Sequence, residues 1–134
     1  MTLQEQIDAF FSGQPHAVVG ASRDRFKYGN KVFRAFLQND RAVYPVNPNT
    51  EKVEECETFP SLSALPESVH GISVITHPDV TEKIVEEAAE LGIQHIWMQP
   101  GAESQGAIER AEKFGMNVIA GGPCVLVSMQ YRES

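Results

Sequence analysis

Apolar residues occur along this chain in two alternating patterns, short continuous runs and stripes spaced three or four residues apart. Continuous runs are typical of buried strands, whereas the wider spacing is typical of one helix face. The runs predict six strands, at about residues 16–20, 42–46, 53–58, 71–76, 93–98 and 116–120. The third of these is short and is expected at an edge of the sheet.

Four helices are predicted in the gaps between these runs. They cover about residues 3–12, a stretch that starts at an N-cap Asn30, a stretch from Asp79 to about residue 92, and about residues 103–114. Asn and Asp favour the N-cap position because their side chains accept a hydrogen bond from the first helical turn. Thr2 with Glu5, and Asp79 with Glu82, also fit the reciprocal capping box.

The alternation of strands and helices indicates an α/β fold with a mostly parallel sheet covered on both faces. Right-handed crossovers favour a doubly wound sheet, most simply in the strand order 3-2-1-4-5-6 with a short third strand. A length of 134 residues predicts a single domain, residues 1–134. The first helix, within residues 1–13, is expected to pack on that domain.

The overall charge limits the choice of partners. A net charge of −7 argues against a general nucleic-acid binder, whose surface would be broadly basic. No apolar run approaches membrane-spanning length, and the N-terminus lacks the basic region and cleavage site of a secretion signal. Two cysteines provide no disulfide framework. We therefore expect a cytoplasmic protein with reduced thiols and no membrane or nucleic-acid partner.

A strand, a glycine turn and a helix N-terminus follow one another between residues 16 and 34. Backbone N–H groups and the helix dipole both favour an anion at such a place. The stretch between residues 23 and 34 contains a single acid, Asp24, and five cations: Arg23, Arg25, Lys27, Lys31 and Arg34. This concentration favours a phosphate-binding loop. The alternative is a charged surface that serves only solubility.

The strand ends predict where a ligand binds. In doubly wound sheets, ligands lie beyond the carboxyl ends of the strands, close to the place where the strand order reverses. Five segments are expected there, all small, polar or turn-forming: residues 20–22, 46–48, 76–78, 99–101 and 121–124. Because every parallel strand ends in a turn, the pattern indicates the position of these residues and not their role.

The first loop departs from the dinucleotide fingerprint. The chain continues from Gly20 as Ala-Ser-Arg-Asp-Arg, not as G-x-G-x-x-G, and the next glycine is Gly29. Asn47 stands where an acid would hold the ribose of NAD. With cations nearby, a nucleotide with an extra phosphate on its ribose fits this loop better than NAD. NADP and coenzyme A (CoA) are both such nucleotides.

Five motifs, taken in order, resemble a known family. They are GAS with Gly29, YPVNPN (44–49), VITHP (74–78), IWMQPGAES (96–104) and GGPC (121–124). Together they cover about residues 14–127 and resemble the small CoA-binding domain family, which is similar to the N-terminal domain of the succinyl-CoA synthetase alpha subunit. The resemblance implies a Rossmann-like fold that binds CoA or an acyl-CoA.

The resemblance also implies a set of ligand-contacting positions. These are Gly20, Ala21, Ser22, Arg23, Asn47, Pro48, Thr76, His77, Pro78, Gln99, Pro100 and Gly101. Arg23, Arg25 and Lys27 carry the charge that the phosphates of CoA need. The strand ends at Val46, Pro48 and Pro78 suit the amides and short apolar links of the pantetheine arm.

The synthetase uses a phosphohistidine from a second domain, and these 134 residues contain no such domain. The resemblance therefore implies a binding module without ligase chemistry, with a protein partner or a homo-oligomer left open. The alternative is an NADP-dependent oxidoreductase or redox sensor, for which His77 is the one candidate acid or base. His77 is better explained as the cap of the helix that Pro78 begins.

The two cysteines differ in their surroundings. Cys124, after a Gly-Gly-Pro turn, is a candidate reactive thiol that forms a mixed disulfide with CoA; the alternative is a small buried apolar residue. Cys56 stands among glutamates, which disfavour a thiolate. His16, His70 and His95 form no metal-ligand pattern with the cysteines, so no metal site is expected.

Overall fold

Strands and helices alternate through residues 1–133, the part of the chain that the computed structural model describes. The helices are α1 (Leu3–Phe11), α2 (Tyr28–Gln38), α3 (Pro78–Glu90), α4 (Gln105–Lys113) and α5 (Val125–Ser128). The strands are β1 (His16–Val19), β2 (Val43–Val46), β3 (Lys52–Val53), β4 (Cys56–Glu57), β5 (Gly71–Val74), β6 (His95–Met98) and β7 (Asn117–Ile119). Within residues 1–133, every helix falls short of the length and apolarity that crossing a membrane requires.

Five parallel strands form the central sheet, in the order β2-β1-β5-β6-β7. Their register is level: His16 of β1 is paired with Val43 on one side and with Gly71 on the other. At the far end, Val19 is paired with Val46 and Val74 in the same way. The carboxyl ends of these strands therefore meet along one edge of the sheet. This arrangement confirms the predicted Rossmann-like, mostly parallel α/β fold.

The third predicted strand, residues 53–58, does not join the sheet, so the order 3-2-1-4-5-6 is wrong at that position. These residues form a separate antiparallel hairpin of β3 and β4, and only Phe59 makes a parallel bridge with Val46 of β2. The chain reverses at Glu54 and Glu55, whose φ angles are +47° and +68°. Positive φ at both central residues is the conformation of a two-residue hairpin turn. Nothing in a pair of glutamates indicates such a turn.

Each face of the sheet has its own apolar core. One core places Val85 and Ala88 of α3 and Ala107 of α4 against Val74. The opposite core places Phe10 of α1, Phe33 of α2 and Val125 of α5 around the fully buried Trp97. The short strands are apolar on both sides because both sides are covered.

Of the predicted helix caps, those at Thr2 and His77 are confirmed, and those at Asn30 and Asp79 are wrong. The reciprocal capping box of Thr2 and Glu5 is present. Helix α2 has Lys27 as its N-cap, and Asn30 is buried inside the first turn. Helix α3 has His77 as its N-cap instead of Asp79, because Pro78 occupies the first helical position, for which its fixed φ is suited.

At the opposite, amino edge of the sheet, His16 is completely buried. Its Nε2–H donates to the Phe10 carbonyl over 2.7 Å, and Nδ1 has no partner among the described residues. The rings of His70 and His95 are stacked beside it, with centroids 4.3 Å apart. Burial lowers the pKa of His16 from its ordinary 6.5 to about 4, and the charges of Arg41 and the two neighbouring histidines add to that effect.

Acid is expected to destabilise the fold through His16. Because the folded-state pKa lies below the unfolded one, the stabilisation is complete above pH 6.5 and is lost as the pH falls toward 4. The shift corresponds to about 3 kcal/mol of unfolding free energy at the acid end. Urea unfolding at pH 7.0 and pH 4.5 measures the loss of unfolding free energy, and this loss should be smaller in His16→Gln than in the unmodified protein. The exposed His77→Gln is the control and should leave the loss unchanged; equal losses in both variants would contradict this assignment.

Candidate functional site

Two glycines and a strand end make close backbone contacts at the carboxyl edge of the sheet. Gly20 follows β1 with a φ of +93°, and a Cβ placed on it would lie 2.3 Å from the Ile75 carbonyl oxygen. A Cβ on Gly29, in the first turn of α2, would lie 2.0 Å from the carbonyl oxygen of Gly20. These contacts leave no room for a side chain. They bring the ends of β1 and β5 and the start of α2 together at the reversal of strand order.

Side-chain amides hold the loop that follows Gly20. Asn47 Nδ2 donates to the Ala21 carbonyl over 2.7 Å, and Asn30 Nδ2 donates to the Ser22 carbonyl over 2.9 Å. The N–H groups of Ala21, Ser22 and Arg23, by contrast, have no acceptor among residues 1–133. A run of three such donors suits an anion, as in other phosphate-binding loops.

A cleft of about 380 Å³ lies on one face of this edge. We refer to it as the strand-end cleft; its walls include Gly20, Val46, Pro48, Thr76, Val80 and Ile84. Apolar side chains dominate the walls, and Asn47, Asn49, Ser61 and Glu87 supply polar groups. Val80 is 44% exposed there, although its spacing in α3 is that of a core residue. An apolar cleft with a few polar groups suits a flat organic ring.

A second, more polar cleft of about 540 Å³ adjoins the first. This Arg23 cleft is lined by Arg23, Pro48, Asn49, Thr50, Glu51 and Lys52. Pro48 and Asn49 line both clefts, so the two are neighbours. The loop from Gly20 to Arg23 starts in the wall of one cleft and ends in the wall of the other.

The five cations of the loop and helix have different environments. Arg25 pairs with Glu54 over 2.8 Å, and Lys31 pairs with Glu133 over 3.3 Å. Arg34 is buried; its guanidinium donates to Asn30 Oδ1 over 2.6 Å and to the Arg25 carbonyl over 3.0 Å. Within the described residues, Arg23 and Lys27 make no ion pair. The charge available to a ligand is therefore smaller than the cluster of five suggests.

The segment after β5 contributes one residue to the strand-end cleft. Thr76 lines the cleft, and its hydroxyl is 2.7 Å from that of Thr81. His77 caps α3 by accepting from the Asp79 N–H over 3.4 Å, and its side chain is 73% exposed. Neither His77 nor Pro78 is among the residues that line the two clefts.

The segment after β6 contributes to a third, smaller cavity of about 150 Å³. We refer to it as the Cys124 cavity; it is lined by Tyr28, Ile75, Gln99, Pro100 and Cys124. Gly101 lies outside this lining, in a turn where its N–H donates to Glu103 Oε2 over 3.1 Å. Ile75 packs with the core around Trp97, whereas Ile84 packs with the core of α3 and α4. The Cys124 cavity and the strand-end cleft therefore lie at the same edge but on opposite faces of the sheet.

Sequence reasoning missed several lining residues: Tyr28, Asn49, Lys52, Ser61, Val80, Ile84 and Glu87. Val80 and Ile84 belong to the apolar stripe of α3, which indicates burial and does not distinguish a cleft wall from a core. Lys52 and Ser61 lie on either side of residues 53–58, the strand whose place in the sheet was wrongly predicted. Among the described residues, no three His, Cys, Asp or Glu side chains are grouped so that they could hold a metal ion.

A family model described as a CoA binding domain matches residues 15–130. The chain belongs to the CoA-binding domain family. It is 28% identical over 130 residues to the ADP-forming acetate–CoA ligase II subunit alpha of Pyrococcus furiosus. The match covers 89% of this chain but only 28% of that subunit. Membership of the CoA-binding domain family supports CoA as the small-molecule ligand.

Solved structures show the same architecture at the size of this chain. A conserved hypothetical protein from Pyrococcus furiosus is 35% identical, with a TM-score of 0.81 over 87% of this chain and 99% of its own. A hypothetical protein from Pyrococcus horikoshii OT3 is 25% identical, with a TM-score of 0.89 over 97% of this chain and 91% of its own. The CoA-binding domain family thus includes chains about as short as this one.

Gly29→Ala is expected to disrupt the edge. The new Cβ would meet the backbone carbonyl of Gly20, which cannot move without separating α2 from β1. We therefore expect the free energy of unfolding to fall by about 2 kcal/mol or more. Gly106→Ala in α4 is the matched control, because its Cβ would meet only the flexible end of the Glu82 side chain. Urea unfolding midpoints compare the two. A Gly29→Ala protein as stable as Gly106→Ala would contradict the close packing of α2 on Gly20.

Proposed function

We propose that these 134 residues by themselves bind CoA, free or as an acyl-CoA, along the carboxyl edge of the parallel sheet. The observation that carries the proposal is the row of three N–H groups, from Ala21 to Arg23, that have no acceptor among residues 1–133. It runs from the apolar strand-end cleft to the polar Arg23 cleft. CoA has the matching parts: a flat base, charged phosphates and a long amide-containing arm.

The phosphates would bind at the loop and in the Arg23 cleft. Ala21, Ser22 and Arg23 provide backbone donors, and the Arg23 guanidinium and the Lys52 ammonium provide charge. Lys27 is exposed at the start of α2 and can contribute at longer range. Arg25, already hydrogen-bonded to Glu54, would serve mainly to hold the hairpin against the loop.

The adenine ring would lie in the strand-end cleft. Pro48, Val80 and Ile84 offer apolar surface to its two faces, and Asn49 and Ser61 offer polar groups to its edge. Asn47 contributes indirectly, because its Nδ2 donates to the Ala21 carbonyl and its Oδ1 accepts from the Asn49 N–H over 2.7 Å. It would position the phosphate loop relative to the base.

The NADP alternative lacks a comparable supporting observation. It requires an acid or base beside the nicotinamide, and His77 was the one candidate in the sequence. His77 caps α3 and is exposed, outside the lining of both clefts. We therefore retain NADP only as a competitor in the binding experiment.

CoA is expected to raise the melting temperature of the purified 134-residue chain. At about one hundred times the dissociation constant, mass action adds about 2.7 kcal/mol, which corresponds to about 10 °C for a domain of this size. Acetyl-CoA should act similarly, and NADP should have little effect. The measurement is a thermal-shift series at matched ionic strength. A melting temperature that saturating CoA leaves unmoved would overturn the proposal, and a shift with NADP alone would favour the alternative.

Arg23→Ala is expected to weaken CoA binding about tenfold, because it removes a charge-assisted contact to phosphate. The difference in CoA affinity between Arg23→Ala and the unmodified protein should shrink as the salt concentration rises, because screening weakens the same contact in the unmodified protein. Arg110→Ala, which removes the same charge from α4 beside Glu86, is the matched control. Titration calorimetry at two salt concentrations gives both affinities. Equal affinities for the two variants would exclude Arg23 from the site.

A further inference from the structure

The Cys124 cavity contains a buried hydrogen-bond donor without a partner. Gln99 is 3% exposed, and its Oε1 accepts the Val125 N–H over 3.1 Å. This bond determines which end of the amide is the oxygen, since only an oxygen can accept from an N–H. Nε2 is therefore the other end, and it has no acceptor among residues 1–133. A buried donor without an acceptor is unfavourable, so a ligand that brings a carbonyl oxygen to this donor would be favoured.

The backbone is fixed on both sides of Cys124. The Trp97 indole N–H donates to the Pro123 carbonyl over 2.9 Å, and Gln99 holds the Val125 N–H. Cys124 is a free, half-buried thiol in the wall of the same cavity as Gln99. A thiol and an amide side chain thus line one cavity, and hydrogen bonds from Trp97 and to Gln99 fix the backbone on which the thiol stands.

The cavity is adjacent to the proposed path of CoA. Gly20 lines the strand-end cleft and Ile75 lines the Cys124 cavity, and their backbones are in direct contact. Along the edge, the ends of β2 and β6 are three strand spacings apart, about 14 Å. The pantetheine arm of CoA is long, flexible and ends in an amide followed by a thiol. A ligand whose phosphates lie at Ala21–Arg23 can therefore cross the edge and enter the cavity from its open side.

We infer that the Cys124 cavity receives the thiol end of CoA, with Gln99 Nε2 donating to the last amide carbonyl of the arm, and that Cys124 undergoes thiol–disulfide exchange there. The inference rests on the proposed CoA binding. Its co-reactant is CoA disulfide: the Cys124 thiolate attacks one sulfur, a Cys124–CoA bond forms, and the bond between the two CoA sulfurs breaks. The departing CoA thiolate takes up the proton that Cys124 has lost. No net oxidation occurs, and a reduced thiol reverses the step.

The first test is intact-mass analysis after incubation with CoA disulfide. The unmodified chain and Cys56→Ser should each gain a single CoA that is released by a reducing agent. Cys124→Ser should gain none. An adduct retained by Cys124→Ser, or its absence from Cys56→Ser, would overturn the assignment of the thiol.

The second test measures the contribution of Gln99. Gln99→Glu keeps an acceptor for Val125 and removes the free donor; Gln99→Met serves the same purpose if the charged variant does not fold. The rate with CoA disulfide is divided by the rate with 2-hydroxyethyl disulfide, which has no amide carbonyl. The ratio cancels any change in thiolate reactivity and should fall about tenfold. An unchanged ratio would overturn the role of Gln99.

Failure of this inference can be distinguished from failure of the proposed CoA binding. The melting-temperature rise of the unmodified chain with reduced CoA is measured beside its reaction with CoA disulfide, because the rise depends on the phosphates and the base and does not require the adduct. A rise without an adduct on the unmodified chain would overturn this inference and leave CoA binding intact. The absence of both would overturn the proposed function itself.

Discussion

The absence of two side chains, at Gly20 and Gly29, is the constraint on which the rest of this edge depends. The Gly20 carbonyl lies where a Cβ of Gly29 would be, and a Cβ of Gly20 would occupy the place of the Ile75 carbonyl. With these contacts in place, β1, β5 and α2 converge, and the loop after Gly20 turns outward. Its carbonyls are bound by Asn30 and Asn47, and its N–H groups are left available for a ligand. The donor row is thus a consequence of backbone packing rather than of a particular side chain.

Electrostatics at the loop follow from that packing. Asn30 is buried in the first turn of α2. Its Nδ2 donates to the Ser22 carbonyl and to the Glu54 carboxylate, and its Oδ1 accepts from Arg34. It thereby links the loop after Gly20 to the hairpin and to the C-terminal residues that contact Arg34. Much of the positive charge in this region neutralises Glu54 and Glu133. Arg23, at the outer end of the loop, is the cation best placed in a cleft. An acidic protein can present a local anion site in this way without a broadly basic surface.

Much of the fold could be predicted from the sequence because its strands are buried on both faces and its helices have clear apolar stripes. Val18 belongs to an uninterrupted apolar run and Ile72 to a run broken only by Ser73, and each lies in a strand that is paired on both sides. The hairpin of β3 and β4 could not be predicted, because its turn depends on positive φ angles at two glutamates. The cap at His77 was indicated by the following proline, whereas the cap at Lys27 makes no side-chain hydrogen bond and leaves no pattern.

The candidate site could be predicted only in part from the sequence. The strand-end segments were foreseeable, because parallel strands bring their carboxyl ends together. The opposite wall was not, since Ile84 belongs to an apolar stripe that indicates a core position and Lys52 lies beside the wrongly predicted strand. The free end of the Gln99 amide depends on a bond from Val125, a residue 26 positions away. Such a property exists only in the folded chain.

The central claim is that CoA binds along the carboxyl edge with its phosphates on the loop after Gly20. The most direct measurement is a titration of ¹⁵N-labelled protein with CoA, followed through the backbone amide resonances. We expect the amides of Ala21, Ser22 and Arg23 to shift together and saturate at one concentration, while those around His16 at the amino edge stay in place. Unchanged resonances for these three amides at saturating CoA would contradict the account.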